Sequence, residues 1–285
     1  MNSSLSINQV AILGVGLIGG SFGLALKQKS GAVNIIGIGR DPDRLAQAVQ
    51  KGAIDQATTD IVQGVSSADL IVLSSTIGHI LEALPTVLSA ARPGAVVTDV
   101  GSAKTAIVAA SKNDNRFIGG HPMAGSEKTG VMAASATLFN SATWALTPTK
   151  VTGAKSLDAM LEVITAVGAI PLILSPEEHD EMVSVTSHLP HVIAASFMRF
   201  AAQSRALHLD LPRMTAGSFA DMTRIAGASP SIWRDVCLSN RDAVLKSLEL
   251  FEKEIAKIKT AISENDADSI ESYFAGSEAA KRLWS

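Results

Sequence analysis

One cysteine among 285 residues, Cys237, leaves no partner for an internal disulfide and suits a reducing compartment. No unbroken apolar run approaches the roughly 18 residues that a membrane-spanning helix requires. The opening MNSSLSINQ has neither the basic cluster nor the apolar stretch of a signal peptide. Neither charge is in marked excess: 24 Lys and Arg stand against 27 Asp and Glu, a net −3. That balance offers no electrostatic footing for nucleic acid or an anionic membrane surface. Internal repeats and low-complexity tracts are missing too, and no additional regulatory module is visible. What is present is 47% apolar and 18% charged residues, the composition of a globular chain long enough for about two domains. A cytoplasmic protein is expected.

The first 174 residues alternate short β-branched runs with helical stretches. Val10 to Leu13, Val33 to Ile38, Leu70 to Ser74, Ala95 to Asp99, Thr143 to Leu146 and Ile170 to Ile173 read as buried strands bounded by Gly, Pro, Ser or Asp. Asp43 to Lys51, Ile80 to Ala91 and Lys155 to Val167 read as helices between them. Such alternation predicts a doubly wound parallel sheet covered on both faces. After Ser175-Pro176 only helical spacing is found, over Glu178 to Val185, Leu189 to Ser204, Leu238 to Thr260 and Asp266 to Trp284. Ser175 ahead of a proline, with Glu177 and Glu178 in the first turn, is a helix start. A dinucleotide-binding α/β domain over 1–174 and an all-helical domain over 175–285 are therefore expected.

Val10-Ala11-Ile12-Leu13 runs directly into Gly14-Val15-Gly16-Leu17-Ile18-Gly19. In a Rossmann-type unit the first glycine allows the tight turn and the second lets the backbone approach a pyrophosphate. The third lets the helix pack on the strand, with its first amides facing the phosphates. Gly14, Gly16, Leu17, Ile18 and Gly19 are thus assigned to the cofactor, together with Ser74 and Ser75 at the end of the strand that starts at Leu70. The second strand ends Ile38-Gly39-Arg40, with Asp41 one place late for an acid that would hold a ribose hydroxyl pair. Arg40 suits a ribose phosphate and favours NADP. The alternative is NAD, with Asp41 on the ribose and Arg40 merely facing solvent.

Four segments hold more polar chemistry than a fold needs: Asp99-Val100-Gly101-Ser102-Ala103-Lys104, Gly119-Gly120-His121-Pro122-Met123-Ala124-Gly125-Ser126-Glu127-Lys128, Ser187-His188-Leu189-Pro190-His191, and Asp221-Met222-Thr223-Arg224 followed by Trp233-Arg234-Asp235. A histidine is suited to taking a hydroxyl proton near neutral pH, a serine to sharing that oxygen, and an arginine fork to holding a carboxylate. Each has a plainer reading. His121 would be a structural loop histidine, Ser102 a helix cap, Asp221 and Arg224 a surface i, i+3 pair, and Trp233 ordinary core.

VAILGVGLIGGS, TDVGSAKT, FIGGHPMAGSEKTG, SHLPH and DMTRIAGASPSIWRD, in this order, closely resemble the prephenate and arogenate dehydrogenases of tyrosine biosynthesis over nearly the whole chain. The resemblance implies oxidation of a cyclohexadienyl carbinol by hydride transfer to NAD(P), with loss of the ring carboxylate. It implies that His121 binds the ring hydroxyl and accepts its proton. Ser102 is expected to polarise that hydroxyl and orient the nicotinamide, and Arg224 to bind a substrate carboxylate. Ser187, His191, Ser126, Glu127, Asp221 and Trp233 fall at supporting pocket positions, the tryptophan reaching in from the partner of a homodimer. One departure is Gly39-Arg40, where many NAD-using relatives place Asp. Prephenate is preferred over arogenate only slightly. Rival readings are another two-domain Rossmann reductase, which lacks the HPMAGSE, SHLPH and DMTRI combination, or a non-catalytic dinucleotide sensor. No metal site is expected.

Overall fold

The computed structural model describes residues 7–30, 33–126 and 128–284. An eight-stranded sheet runs in the order β3-β2-β1-β4-β5-β6-β7-β8. Its strands are β1 Gln9–Leu13, β2 Asn34–Ile38, β3 Gln56–Thr58, β4 Leu70–Leu73, β5 Val96–Asp99, β6 Phe117–Pro122, β7 Thr143–Thr147 and β8 Ile170–Ile173. Helices α1 Leu17–Ser30, α2 Pro42–Gln50, α3 Ile61–Val65, α4 Ile77–Ala90, α5 Thr105–Ala110 and α6 Ala154–Ala166 connect them. Fully buried β4 reads Leu-Ile-Val-Leu because both of its faces are covered. On one face Ile12, Val72 and Ile35 pack with Phe22, Phe139, Trp144 and Met160. On the other, Leu13, Ile71 and Val97 pack with Ile80, Leu84 and Ile107.

β1 to β6 pair in parallel, and β8 is parallel to β7. The β6–β7 pair is antiparallel, a reversal within a parallel-dominated sheet. Parallel neighbours need a crossover, usually helical. Between β6 and β7 only a short 3₁₀ turn, Val131–Ala133, is formed among the described residues, so the chain re-enters the sheet from the edge it left.

β3 and β6 were not expected from the sequence. β3 is a short, mostly exposed edge strand with no apolar alternation. β6 carries Gly119-Gly120-His121-Pro122, a poor strand sequence on propensity. Its neighbours explain it: a Cβ on Gly119 would lie 2.3 Å from Thr147 Oγ1, and one on Gly120 2.7 Å from the Asp99 carbonyl. Close backbone approach selects these glycines, so His121 is a strand residue rather than a loop histidine.

From Pro176 onward the described elements are helical: α7 Pro176–Val183, a π turn Ser184–His188, α8 Leu189–Leu207, a 3₁₀ turn Leu211–Met214, α9 Gly217–Thr223, a 3₁₀ turn Arg224–Gly227, α10 Pro230–Ser239, α11 Arg241–Ser263 and α12 Ala267–Arg282. A capping box starts α7: Ser175 Oγ accepts from Glu178 N–H at 3.2 Å, and Glu178 accepts from Ser175 N–H at 2.9 Å. The π turn precedes Pro190, which cannot donate and would crowd the carbonyl four residues back in a regular helix. The single helix expected over Leu238 to Thr260 is broken at Asn240, whose φ −115° and ψ 36° are not helical. The break turns the buried Asn240 amide inward, where it donates to the Asp180 carbonyl at 2.8 Å and to His188 Nδ1 at 3.0 Å.

Candidate active site at the junction of the two units

The chain leaves β1 to one side through β2 and β3 and returns to place β4 on β1's other side, so the ends of β1 and β4 flank the topological switch point. Gly14 there has φ +94°, and a Cβ on it would strike the Ser74 carbonyl at 2.3 Å. A Cβ on Gly19 would lie 2.3 Å from the Gly14 carbonyl, so only a glycine fits between helix and strand there. A Cβ on Gly16 would meet nothing within 4 Å, leaving backbone open to a ligand. Leu17 and Ile18 open α1 beside it. Ser74 N–H donates to the Leu13 carbonyl at 2.7 Å, and Ser75 Oγ lies 2.9 Å from His79 Nδ1.

Asp41 is engaged elsewhere: its carboxylate caps α2, accepting from Asp43 N–H at 3.0 Å and Arg44 N–H at 3.2 Å. Arg40 is exposed and has no ion-pair partner among the described residues. These features fit a dinucleotide.

Along the same carboxyl edge, the ends of β5 and β6 are locked by a wholly buried ion pair. Lys104 Nζ binds the Asp99 carboxylate and donates to the Gly120 carbonyl at 2.7 Å. Asp99 accepts from Gly101 N–H at 2.8 Å and from Gly120 N–H at 3.2 Å. Burial draws the Lys104 ammonium below its ordinary range, and the Asp99 charge opposes the shift. Ser102 is partly buried on the β5–α5 connection and does not cap the following helix, because α5 begins at Thr105 with no side-chain cap. The capping role at α5 falls to Asp180 on α7, which accepts from Lys104 N–H at 2.7 Å and Thr105 N–H at 2.9 Å.

His121 Nδ1 is 2.8 Å from His179 Nε2, and His179 Nδ1 is 2.8 Å from Asp180 Oδ1. Burial, then the proximity of His179, Lys104 and His188, holds the His121 imidazole well below the usual histidine range. It is therefore neutral, and able to accept a proton, at physiological pH. Fully buried His188 is pushed down to about 4, by burial first, against the pull of the Asp180 charge. Asn240 donates to its Nδ1, and its Nε2 finds no hydrogen-bond partner among the described residues.

The remaining residues singled out from the sequence lie mostly on the helical unit. His191 Nδ1 is 2.9 Å from the Ser187 carbonyl, and the ring stacks on Trp233 at 3.9 Å. Trp233 also meets His188 edge-on at 6.0 Å. Around it, α10 docks against α4, and Asp235 accepts from Gly78 N–H at 3.3 Å. An open cavity of about 710 Å³ borders His191, Arg199, Ile225, Trp233, Arg234 and Cys237.

Arg224 and Asp221 are exposed, no ion pair joins them, and no hydrogen bond links either to His121 among the described residues. Ser126 is exposed and accepts from Lys128 N–H at 3.2 Å. Glu127 lies outside the described residues. His179 and Asp180 escaped the sequence reading, although a His-Asp pair one turn into a capped helix was a usable signal.

A glycine turn at the switch point of a doubly wound sheet, with a neutral histidine further along the same edge, defines a nicotinamide-dinucleotide-dependent oxidoreductase. The family models described as "Prephenate dehydrogenase, nucleotide-binding domain" and "Prephenate dehydrogenase, dimerization domain" match residues 22–174 and 175–276. The chain belongs to the prephenate dehydrogenase family. It is 36% identical to a prephenate dehydrogenase of Bacillus subtilis over 93% of this chain and 73% of that protein. It superposes with a TM-score of 0.94, at 34% identity, on a prephenate dehydrogenase from A. aeolicus in complex with hydroxyphenyl propionate and NAD+, covering 99% of this chain and 100% of the other. A Synechocystis arogenate dehydrogenase gives 0.83 at 28% identity, over 97% and 100% of the two chains.

Proposed function

We infer that this protein oxidatively decarboxylates prephenate to 4-hydroxyphenylpyruvate with NADP, as a homodimer in the cytoplasm. The observation that carries this reading is His121, a neutral imidazole on the carboxyl edge of the sheet where the dinucleotide unit meets the helical unit. In the reaction the ring hydroxyl gives its proton to His121 while the carbinol hydride leaves. The carboxylate then departs as carbon dioxide, its bonding electrons restore the aromatic ring, and the ring oxygen takes a proton back. The bound nicotinamide supplies the hydride acceptor. Aromatisation drives the step, so the protein's task is alignment and one proton transfer.

Ser102 polarises the hydroxyl and orients the nicotinamide. Arg224 holds the side-chain carboxylate, and Ser126, Glu127, Ser187, His191, Asp221 and Trp233 shape the pocket. Gly14, Gly16, Leu17, Ile18, Gly19, Ser74 and Ser75 hold the dinucleotide and Arg40 its ribose phosphate. Support for NADP comes from the Asp41 carboxylate, spent on capping α2 while Arg40 stays free. The exposed Phe200, Leu207, Met214 and Phe274 of the helical unit support a dimer. We divide the units between residues 174 and 175, a reading supported by the end of β8 and the Ser175 cap.

The test mixes purified protein with prephenate or arogenate, each with NAD or NADP, and follows reduced nicotinamide. Turnover of prephenate with NADP is expected. Faster turnover of arogenate moves the substrate assignment, faster turnover with NAD moves the Arg40 assignment, and silence in all four mixtures with nucleotide still bound overturns the reading.

A further inference from the structure

We propose that His179 and Asp180 are positioning residues that set the tautomer of His121 and hold the charge of the proton it borrows. This rests on His121 being the base of the proposed reaction.

Asp180 is ionised, since its two oxygens accept from Lys104 N–H, Thr105 N–H and the His179 ring, and these bonds hold its carboxyl below the usual range although burial opposes the shift. An acceptor-only carboxylate obliges His179 to donate from Nδ1. His179 Nε2 lies 2.8 Å from His121 Nδ1, and only one of these two nitrogens can carry the proton between them. With its Nδ1 donating to Asp180, His179 offers its Nε2 lone pair to His121, which then donates from Nδ1. His121 Nε2 is left bare, the state a base needs. The direction of the chain is decided at its buried end.

The same arrangement supports the charge. The groups around His121 are Lys104 on the β5–α5 connection, with its partner Asp99, His188 on the π turn, and the His179–Asp180 pair on α7. Lys104, His179 and His188 oppose a cation on His121. Asp180, reached through His179, is the anion in line with it. When Nε2 takes the hydroxyl proton, the Nδ1 proton shifts toward His179 and the positive charge is shared with Asp180. His179 is 1% exposed, so the pair opens no route to solvent. None is required, because oxidation and decarboxylation return that proton to the ring oxygen. A closed store suits a borrowed proton.

Ring-nitrogen ¹⁵N NMR of the full-length protein at neutral pH tests this, with His121 signals assigned by His121→Gln. Wild type is expected to show His121 protonated at Nδ1 and bare at Nε2. In Asp180→Asn the amide oxygen stays on Lys104 N–H and still accepts from His179, so the His121 tautomer is expected to persist while the negative charge behind it is lost. kcat then falls about 10²–10⁴-fold while KM for prephenate stays within about threefold.

Because Asp180 also caps α5, His179→Gln is the second variant. Its amide oxygen keeps the His121 tautomer but cannot hold charge, so kcat falls about 10–100-fold with NADP binding unchanged. Wild-type His121 protonated at Nε2, or kcat within about twofold of wild type in folded His179→Gln, overturns the proposal. Failure of wild type to oxidise prephenate or arogenate with either nucleotide instead overturns the functional reading, and the NMR result still judges the tautomer chain.

Discussion

The two units solve burial differently. The sheet unit is closed: β4 and β5 are wholly buried, and Phe22, Phe139 and Trp144 seal one face. The helical unit buries few apolar side chains and leaves Leu207, Leu209, Met214 and Trp284 more than two-thirds exposed. A helix can satisfy its backbone without a neighbour, whereas its apolar stripe cannot. Apart from its edge strand β8, where Ile170 and Ile173 are about half exposed, the sheet unit is complete within one chain, and the helical unit awaits another surface. The site sits where they meet, joined by His121–His179, Asp180–Lys104 and Asp235–Gly78.

The sharpest break in this comparison is at the junction. His121→Ala is expected to lower kcat by about 10²–10⁴-fold with NADP affinity unchanged by fluorescence titration, because the dinucleotide loop belongs to the sheet unit alone. Loss of NADP binding would mean that the units are not separable in this way. Next, Lys104→Met leaves the Asp99 carboxylate buried without its partner. It should cost roughly 3–5 kcal/mol in urea unfolding, more than any single exposed apolar replacement on the helical unit.

Acid tests the helical side. A histidine that is neutral in the fold down to about pH 4 contributes stability that is fully present above the ordinary value of 6.5. The contribution is lost as pH falls from there toward 4, because the unfolded chain takes up the proton first. From His188 alone the loss is roughly 3 kcal/mol, and His188→Gln should flatten the denaturation profile over that window.

Arg40→Ser should weaken NADP by about 10–100-fold and leave NAD nearly unchanged in KM measurements, since one charge-assisted contact is removed. Equal loss for both nucleotides would place Arg40 elsewhere. The smallest effect is on association. The thermal midpoint should rise by a few degrees over about a hundredfold increase in protein concentration, as expected when folding is linked to dimerisation. A concentration-independent midpoint would mean that the exposed helical faces need no partner chain.

Local sequence was enough for much of this. Leu-Ile-Val-Leu at β4 admits little but a doubly covered strand, the glycine spacing after β1 announces its turn, and Ser175-Pro176-Glu177-Glu178 writes its own helix start. These depend on neighbours within a few residues, so the sequence displays them directly. β6 was hidden because its glycines answer to Asp99 and Thr147, which are remote in sequence. The break at Asn240 was hidden because its reason is a hydrogen bond to residue 180. Ser102, His121 and Arg224 stood out one by one, yet whether a histidine is base, ligand or filler depends on what faces its two nitrogens. That was decided only by packing α7 against α5 and β6, which put a buried carboxylate behind one imidazole and a second imidazole between them.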